Sequence, residues 1–186
     1  ITERPDMARA IEEYYRDGSL ALTTGDAVHP AKYLQSVTAD SHDGRSINAV
    51  LRTSIRVGDA GEESEWSRSY TDMLGQTYKT ELPAYVGLSP ASSRQFFNAK
   101  GQLLRSVDFD GVVTLFGYNA EGQQTETAVD VNGNGRIDLS GPDRVVRSER
   151  AVVNDPVRGV VERSTTSAFL APGSSIPTVV SRTDVN

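Results

Sequence analysis

Phe97-Asn98-Ala99-Lys100-Gly101-Gln102 returns 21 residues later as Tyr118-Asn119-Ala120-Glu121-Gly122-Gln123. A third version, Tyr70-Thr71-Asp72-Met73-Leu74-Gly75-Gln76, carries one extra residue after the aromatic. The shared core is an aromatic, then Asn or Asp, two variable residues, Gly and Gln. Each unit runs on into a polar strand, over residues 77–82, 103–108 and 124–129. The chemistry of the unit is that of a chain reversal. An Asn or Asp side chain accepts a hydrogen bond from the backbone two residues on, and Gly supplies the left-handed conformation the reversal needs. The aromatic ends the incoming strand and the outgoing strand pairs back onto it. One such hairpin is marginal in water, whereas stacked copies support one another. The expectation is positive φ at Gly75, Gly101 and Gly122, with Tyr70, Phe97 and Tyr118 in equivalent places along one row.

The rest of the chain carries the same turn chemistry. Asp17-Gly18, Asp43-Gly44, Asp110-Gly111, Asn132-Gly133 and Asn134-Gly135 all suit tight hairpin turns. Between them lie short alternating runs of β-formers. Val112, Thr114, Phe116 and Tyr118 share one face, as do Trp66, Arg68 and Tyr70, and residues 160–169 are rich in Val, Ser and Thr. The fold class is therefore all-β, built of antiparallel hairpins. Residues 6–16 (DMARAIEEYYR) place Met7, Ile11, Tyr14 and Tyr15 near one helical stripe, but their exit through Asp17-Gly18 looks like a hairpin. Strand is favoured for the latter half, and one short helix is allowed near the N-terminus. The charge-rich residues 58–65 read as a solvated loop, and residues 171–177 (APGSSIP) as a connection. Neither looks like a long linker, so residues 1–186 form a single segment, with the clearest repeats over 66–143.

Composition excludes several classes. The chain has 186 residues, of which 37% are hydrophobic and 24% charged, too apolar for a disordered tail. No window approaches the ~20 apolar residues of a spanning helix. With 19 Lys+Arg against 25 Asp+Glu, the net charge of −6 argues against a nucleic-acid footprint. Cysteine is absent, which removes disulfides, thiolate catalysis and zinc–thiolate sites, and only His29 and His42 could serve a histidine-based site. The chain opens on Ile1 with no secretory pattern and closes on a polar, strand-like SRTDVN, as a segment of a longer polypeptide would.

Through residues 70–76, 97–102 and 118–123 the chain resembles the YD-repeat proteins, also called Rhs proteins, a bacterial group whose repeats carry aromatic-Asp/Asn-x-x-Gly before a strand. Tyr14-Tyr15-Arg16-Asp17-Gly18 is a degenerate fourth unit. The resemblance is specific over residues 66–143 and extends towards Arg4. Asn stands for Asp in two units and Phe for Tyr in one, and both swaps keep the turn logic. The resemblance implies a large extracellular β-sheet that spirals into a hollow shell. In toxin systems such a shell encloses a toxin; in other members it is part of a surface or adhesion protein. Neither role implies a catalytic site in the repeats.

One stretch suits a ligand. In Asp130-Val131-Asn132-Gly133-Asn134-Gly135-Arg136-Ile137-Asp138, oxygens at alternate positions converge when the loop curls, and calcium takes six to eight hard oxygens. Asp130, Asn132 and Asn134 would offer side-chain oxygens, Arg136 its backbone carbonyl and Asp138 a second carboxylate. Ile137 would plug into the core. The twelfth loop position, where an EF-hand places Glu, is Gly141, and the next carboxylate, Asp143, comes two residues late. A calcium site and an Asx-rich hairpin without an ion both remain open readings.

Other constellations read more simply as structure. His29-Pro30 sits in a turn-like run. Asp108 and Asp110 flank Phe109 beside a turn that calls for acceptors anyway. Asp155-Pro156-Val157-Arg158-Gly159 only partly matches the cleavage motif that ends Rhs shells. Gly133-Asn134-Gly135 precedes no helix, so it makes no phosphate cradle. Trp66, Tyr70, Tyr78 and Tyr85 could form a sugar platform, but packing between repeats accounts for them more simply.

The functional expectation is a structural β-scaffold of a secreted or cell-surface protein, shell or fibre, braced by a calcium loop and not an enzyme. The alternative is an adhesion module that presents aromatics to glycans. Expected partners are neighbouring repeats, with cell-surface glycans or an enclosed toxin domain as further candidates. Neither nucleic acid nor membrane insertion is expected.

Overall fold

The computed structural model describes residues 2–3, 8–63, 65–85, 87–169 and 176–185. The chain forms two compact units, Ile1–Arg94 and Gln95–Asn186. Among the described residues there are fourteen strands and no helix. The first unit holds β1 (Thr2–Glu3), β2 (Arg9–Tyr14), β3 (Leu20–Thr24), β4 (Ala31–His42), β5 (Arg45–Arg56), β6 (Glu65–Thr71), β7 (Thr77–Leu82) and the start of β8 (Ala91–Phe97). The second holds the end of β8, then β9 (Leu103–Val107), β10 (Val113–Tyr118), β11 (Gln124–Val129), β12 (Arg144–Asp155), β13 (Gly159–Phe169) and β14 (Thr178–Val185). Within each unit the strands lie in sequence order and pair antiparallel, as expected of consecutive hairpins.

The helix allowed near the N-terminus is not formed. Residues 9–14 are β2, paired with β3 from Ile11↔Thr24 to Tyr14↔Leu20. Gly18, at φ 84°, reverses the chain at once. A partner strand is then within reach, while a helix this short carries an unfavourable nucleus. Asp6 and Met7 of that stretch lie outside the described residues, as do Arg4 and residues 171–175 of the expected connection.

Among the described residues one turn recurs six times. In each, the N–H of a first residue bonds the carbonyl four residues on, and the N–H of the residue three on bonds back to the first carbonyl. It occurs over residues 15–19, 58–62, 72–76, 98–102, 108–112 and 119–123. The fourth position is always Gly, with φ between 79° and 84°. This is a type I turn closed by a left-handed residue, which makes a bulge in the hairpin. The ladder shifts register accordingly beside Tyr14, Tyr70 and Tyr118. The degenerate unit at residues 14–18 is thus a full member in backbone terms. The charged stretch at residues 58–62 also makes this turn rather than a loose loop; Ser64 in that stretch is outside the described residues.

The Asx side chains bind the turns as their chemistry predicts, and reach further. Asp72 Oδ1 accepts the N–H groups of Leu74 and Gln76, each at 2.9 Å. Asn98 Oδ1 accepts those of Lys100 and Gln102, and Asp108 Oδ1 those of Asp110 and Val112. The oxygen does this work, so Asn serves as well as Asp. Asn also adds an N–H, which Asn98 and Asn119 donate to Gln102 Oε1 and Gln123 Oε1. Gln102 Nε2 in turn donates to the Gly122 carbonyl at 3.0 Å, tying one repeat to the next.

The second unit has a core that runs straight across four strands. Leu115 pairs with Ala128, Ala128 with Val145, and Val145 with Phe169, and all four are buried. Residues directly opposite share a face, so this row is a continuous apolar strip. In the first unit Tyr70 and Tyr78 are buried instead, with ring centroids 6.3 Å apart. Tyr78 also stacks on His42 at 4.5 Å and donates its hydroxyl to Asp40 Oδ2 at 2.9 Å. Lys79 Nζ lies 3.9 Å from the Tyr70 ring centroid. Phe97 and Tyr118 stand directly before the first residue of the turn, but Thr71 takes that place in the unit at residues 72–76. Tyr70 therefore falls one position earlier, on the other face of its strand, and the expected single row is not formed. Their contacts differ: Tyr70 OH donates to Glu81 and Tyr118 OH to the Leu103 carbonyl.

Candidate metal loop

Residues 130–143 join β11 to β12 and fold over the apolar row. Ile137 and Leu139 pack against the cluster of Leu115, Ala128, Val145 and Phe169, as the reading of Ile137 requires. Gly117 leaves room for this, since a Cβ there would lie 3.4 Å from Ile137 Cδ1 and closer still to Glu126. The loop curls tightly because Gly133 and Gly135 take φ of 70° and 71°.

Two buried carboxylates hold the curl. Asp130 Oδ1 accepts the Asn134 N–H at 3.1 Å and its Oδ2 the Gly135 N–H at 2.8 Å. Asp143 Oδ1 accepts the Val131 N–H at 3.0 Å and its Oδ2 the Asp138 N–H at 3.1 Å. Asp143 is only 5% exposed and Asp130 9%. A buried carboxylate is costly unless hydrogen-bonded, and here each spans two backbone donors. The Asp130 N–H itself donates to the Val113 carbonyl, which anchors the loop to β10.

The remaining sequence-predicted ligands converge on Asp138. Asn132 Nδ2 donates to Asp138 Oδ2 at 3.1 Å, and Asn134 Nδ2 donates to the same oxygen at 2.5 Å. These bonds, Asn132 first and then Asn134, hold the Asp138 carboxyl below the usual carboxylate range. Asn132 Oδ1 accepts the Asn134 N–H, and Asn134 Oδ1 accepts the Arg136 N–H at 2.8 Å. Thus Asp130, Asn132, Asn134, Arg136 and Asp138 form one hydrogen-bonded set. Among the described residues no three His, Cys, Asp or Glu side chains converge as metal ligands. An ion here would lean on carboxamide and backbone oxygens. It would also have to displace the two amide donors from Asp138 Oδ2.

Asp143 is the residue that loop spacing undervalued. It falls outside the ligand pattern, yet it closes the loop. No local signal marks it, because the N–H groups it accepts, of Val131 and Asp138, come within reach only once the loop has closed.

The other candidates resolve as structure. Asp155 Oδ1 accepts the Val157 and Arg158 N–H groups, a turn on the β12–β13 hairpin. The four aromatics considered as a sugar platform do not share an exposed face. Tyr70 and Tyr78 are buried and Trp66 is half-buried under the Arg68 guanidinium, while Tyr85 is exposed.

No protein-family model matches the sequence, and no curated protein matches it. A chain in the crystal structure of TcdB2-TccC3-Cdc42 is similar, with 12% identity and a TM-score of 0.37. The match covers 98% of this chain and 12% of that one, so this chain spans about an eighth of its length. A likeness of that size carries no inference about function.

Proposed function

We propose that this chain is a scaffold segment of a secreted or cell-surface protein of the YD/Rhs type, a wall of consecutive hairpins in a shell or fibre. The observation that supports it is the recurrence of one turn at six places among the described residues, with the Gln102 to Gly122 bond between repeats. Such units bury little alone and gain stability from their neighbours. Electron microscopy of the parent polypeptide is the test. A shell or rod with a repeating β-wall is expected; a compact particle without repetition rejects the reading. A shell could enclose a toxin domain, and a fibre would present its surface to another cell.

In this reading the loop at residues 130–143 is a brace over the apolar row, and calcium strengthens it. Asp130, Asn132, Asn134 and Asp138 would supply side-chain oxygens and Arg136 its carbonyl. Two carboxylates and two displaced amide donors set the affinity at the weak extracellular grade, roughly 10⁻⁴–10⁻³ M. An ion that binds only the folded state raises the melting temperature. Calcium should therefore raise the wild-type midpoint relative to chelator and leave Asp130→Ala unmoved. Equal shifts, or none in the wild type, mean that the loop is closed by its own hydrogen bonds.

A further inference from the structure

The first unit contains a step in its sheet. β3 pairs with β4 only at Leu22↔Lys32 and Thr23↔Ala31, whereas β4 and β5 pair along all twelve residues. β4 therefore runs on past the end of β3. Tyr33 is the first β4 residue beyond that ladder, and the Tyr15 hydroxyl donates to its carbonyl at 2.8 Å. The bond holds the Tyr15 ring, 42% exposed, over the step. Beneath it opens a cleft of about 360 Å³, within the range of small-ligand sites.

The cleft floor is ordered by register. Gln35 lies opposite Arg52 and Arg52 opposite Ser69; Tyr33 lies opposite Ser54. Arg52 Nε donates to Gln35 Oε1 at 3.1 Å, which orients the guanidinium in the cleft lining. Arg52 is the one charged residue lining it among the described residues. The neighbouring rim adds Arg16 and Asp17, and the Asp17 carboxylate is turned onto the N–H and hydroxyl of Ser19. In a chain of net charge −6 this is a local cationic site.

The geometry points to a binding site for a carboxylate-bearing sugar. An aromatic ring at the Tyr15 wall, hydroxyls and a carboxamide on the floor, and one oriented guanidinium match the apolar face, the hydroxyls and the acid group of such a sugar. Arg meets a carboxylate with two parallel hydrogen bonds, a geometry Lys cannot reproduce. The site adds a recognition function to the scaffold and does not depend on the calcium brace.

The experiment titrates the full chain with methyl glucuronide, methyl glucoside and acetate, following backbone amide shifts by NMR. The uronide should give saturable shifts at residues 33–35, 52–54 and 67–69 and bind about 10-fold tighter than the glucoside, as one charge-assisted pair allows. Acetate should not saturate at the same concentration. Arg52→Met should bring the uronide down to the glucoside's affinity and leave the glucoside within about twofold. Tyr15→Ala should weaken both sugars, and Tyr15→Phe, which keeps the ring, should weaken them less. Lack of saturable uronide shifts in β4 to β6, equal binding of uronide and glucoside, equal binding of acetate, or an unchanged Arg52→Met would each overturn the proposal. None of these outcomes bears on the hairpin wall or on the calcium melt.

Discussion

At the scale of the residue, the turn glycines and Asx side chains carry the fold, and they fail in different ways. An ideal Cβ on Gly75 would meet nothing within 4 Å, so only its φ of 84° resists substitution. Gly75→Val should cost about 1–2 kcal/mol of backbone strain, and Gly75→Asn clearly less, because Asn visits the left-handed region. Gly122 has the same φ and also a Gln102 Nε2 at 3.2 Å from the Cβ position. Gly122→Val should therefore cost more than Gly75→Val by denaturant melting; equal losses would show that the bond between repeats adds nothing. Asn98→Ala leaves the Lys100 and Gln102 N–H groups without their acceptor and should cost about 1–2 kcal/mol. Asn98→Asp should recover most of that loss.

Tyr78 makes a pH prediction at the same scale. Burial first, and the Asp40 hydrogen bond second, push its hydroxyl well above the usual tyrosine range. The neutral form is thus favoured in the folded state. Its contribution is complete below ~10, where the unfolded tyrosine titrates, and is lost as pH rises through the folded value. Tyr78→Phe should be less stable at neutral pH and lose less stability at alkaline pH. An alkaline limb of unchanged slope would show that other groups govern it.

At the scale of the element, the last hairpin pair is joined by charge. Arg163 stands directly opposite Asp184 and grips it with two bonds, Nε to Oδ1 at 2.8 Å and an Nη to Oδ2 at 3.0 Å. The Arg163 bond, with Arg182 in support, holds the Asp184 carboxyl down to about 2. A depressed carboxylate contributes stability above its unfolded value near 3.9 and loses it as pH falls through the folded value. The contribution of this pair should therefore fade between about pH 4 and about pH 2. Arg163→Met should narrow its stability gap to the wild type across that window, and a gap constant with pH would reject the assignment. Strand β14 is otherwise exposed, with Val179, Val180 and Val185 at 58–65%, so apolar burial contributes little to its attachment.

At the scale of the whole molecule, stability is unevenly distributed. The second unit keeps its apolar burial in one cross-strand row capped by Ile137 and Leu139. Phe169→Ala should cost about 3–5 kcal/mol, because that ring closes the row. Val37→Ala, on the β4–β5 ribbon that extends past β3, should stay within about 0.5 kcal/mol, since Val37 is 68% exposed. Comparable losses at the two positions would mean that the ribbon is covered in solution. The far-UV circular dichroism should be that of strands without a helical component.

The sequence by itself determined the hairpins, because a turn is a local event. Positive φ at Gly and a bond from an Asx oxygen to the next residues need only a few consecutive positions, and Gly75, Gly101 and Gly122 all take the conformation their motif demands. The tight curl at residues 130–138 was legible for the same reason, down to the packing of Ile137 against the apolar row. Only the tertiary structure decided which residues meet across strands. The Leu115 to Phe169 row spans four strands, and the cleft needs Tyr15 to reach a carbonyl 18 residues away. Neither has a local signature, because register accumulates over successive turns and bulges, and one residue of slip turns a side chain to the other face. Asp143 belongs with them: its role exists only once the loop has closed onto Val131 and Asp138.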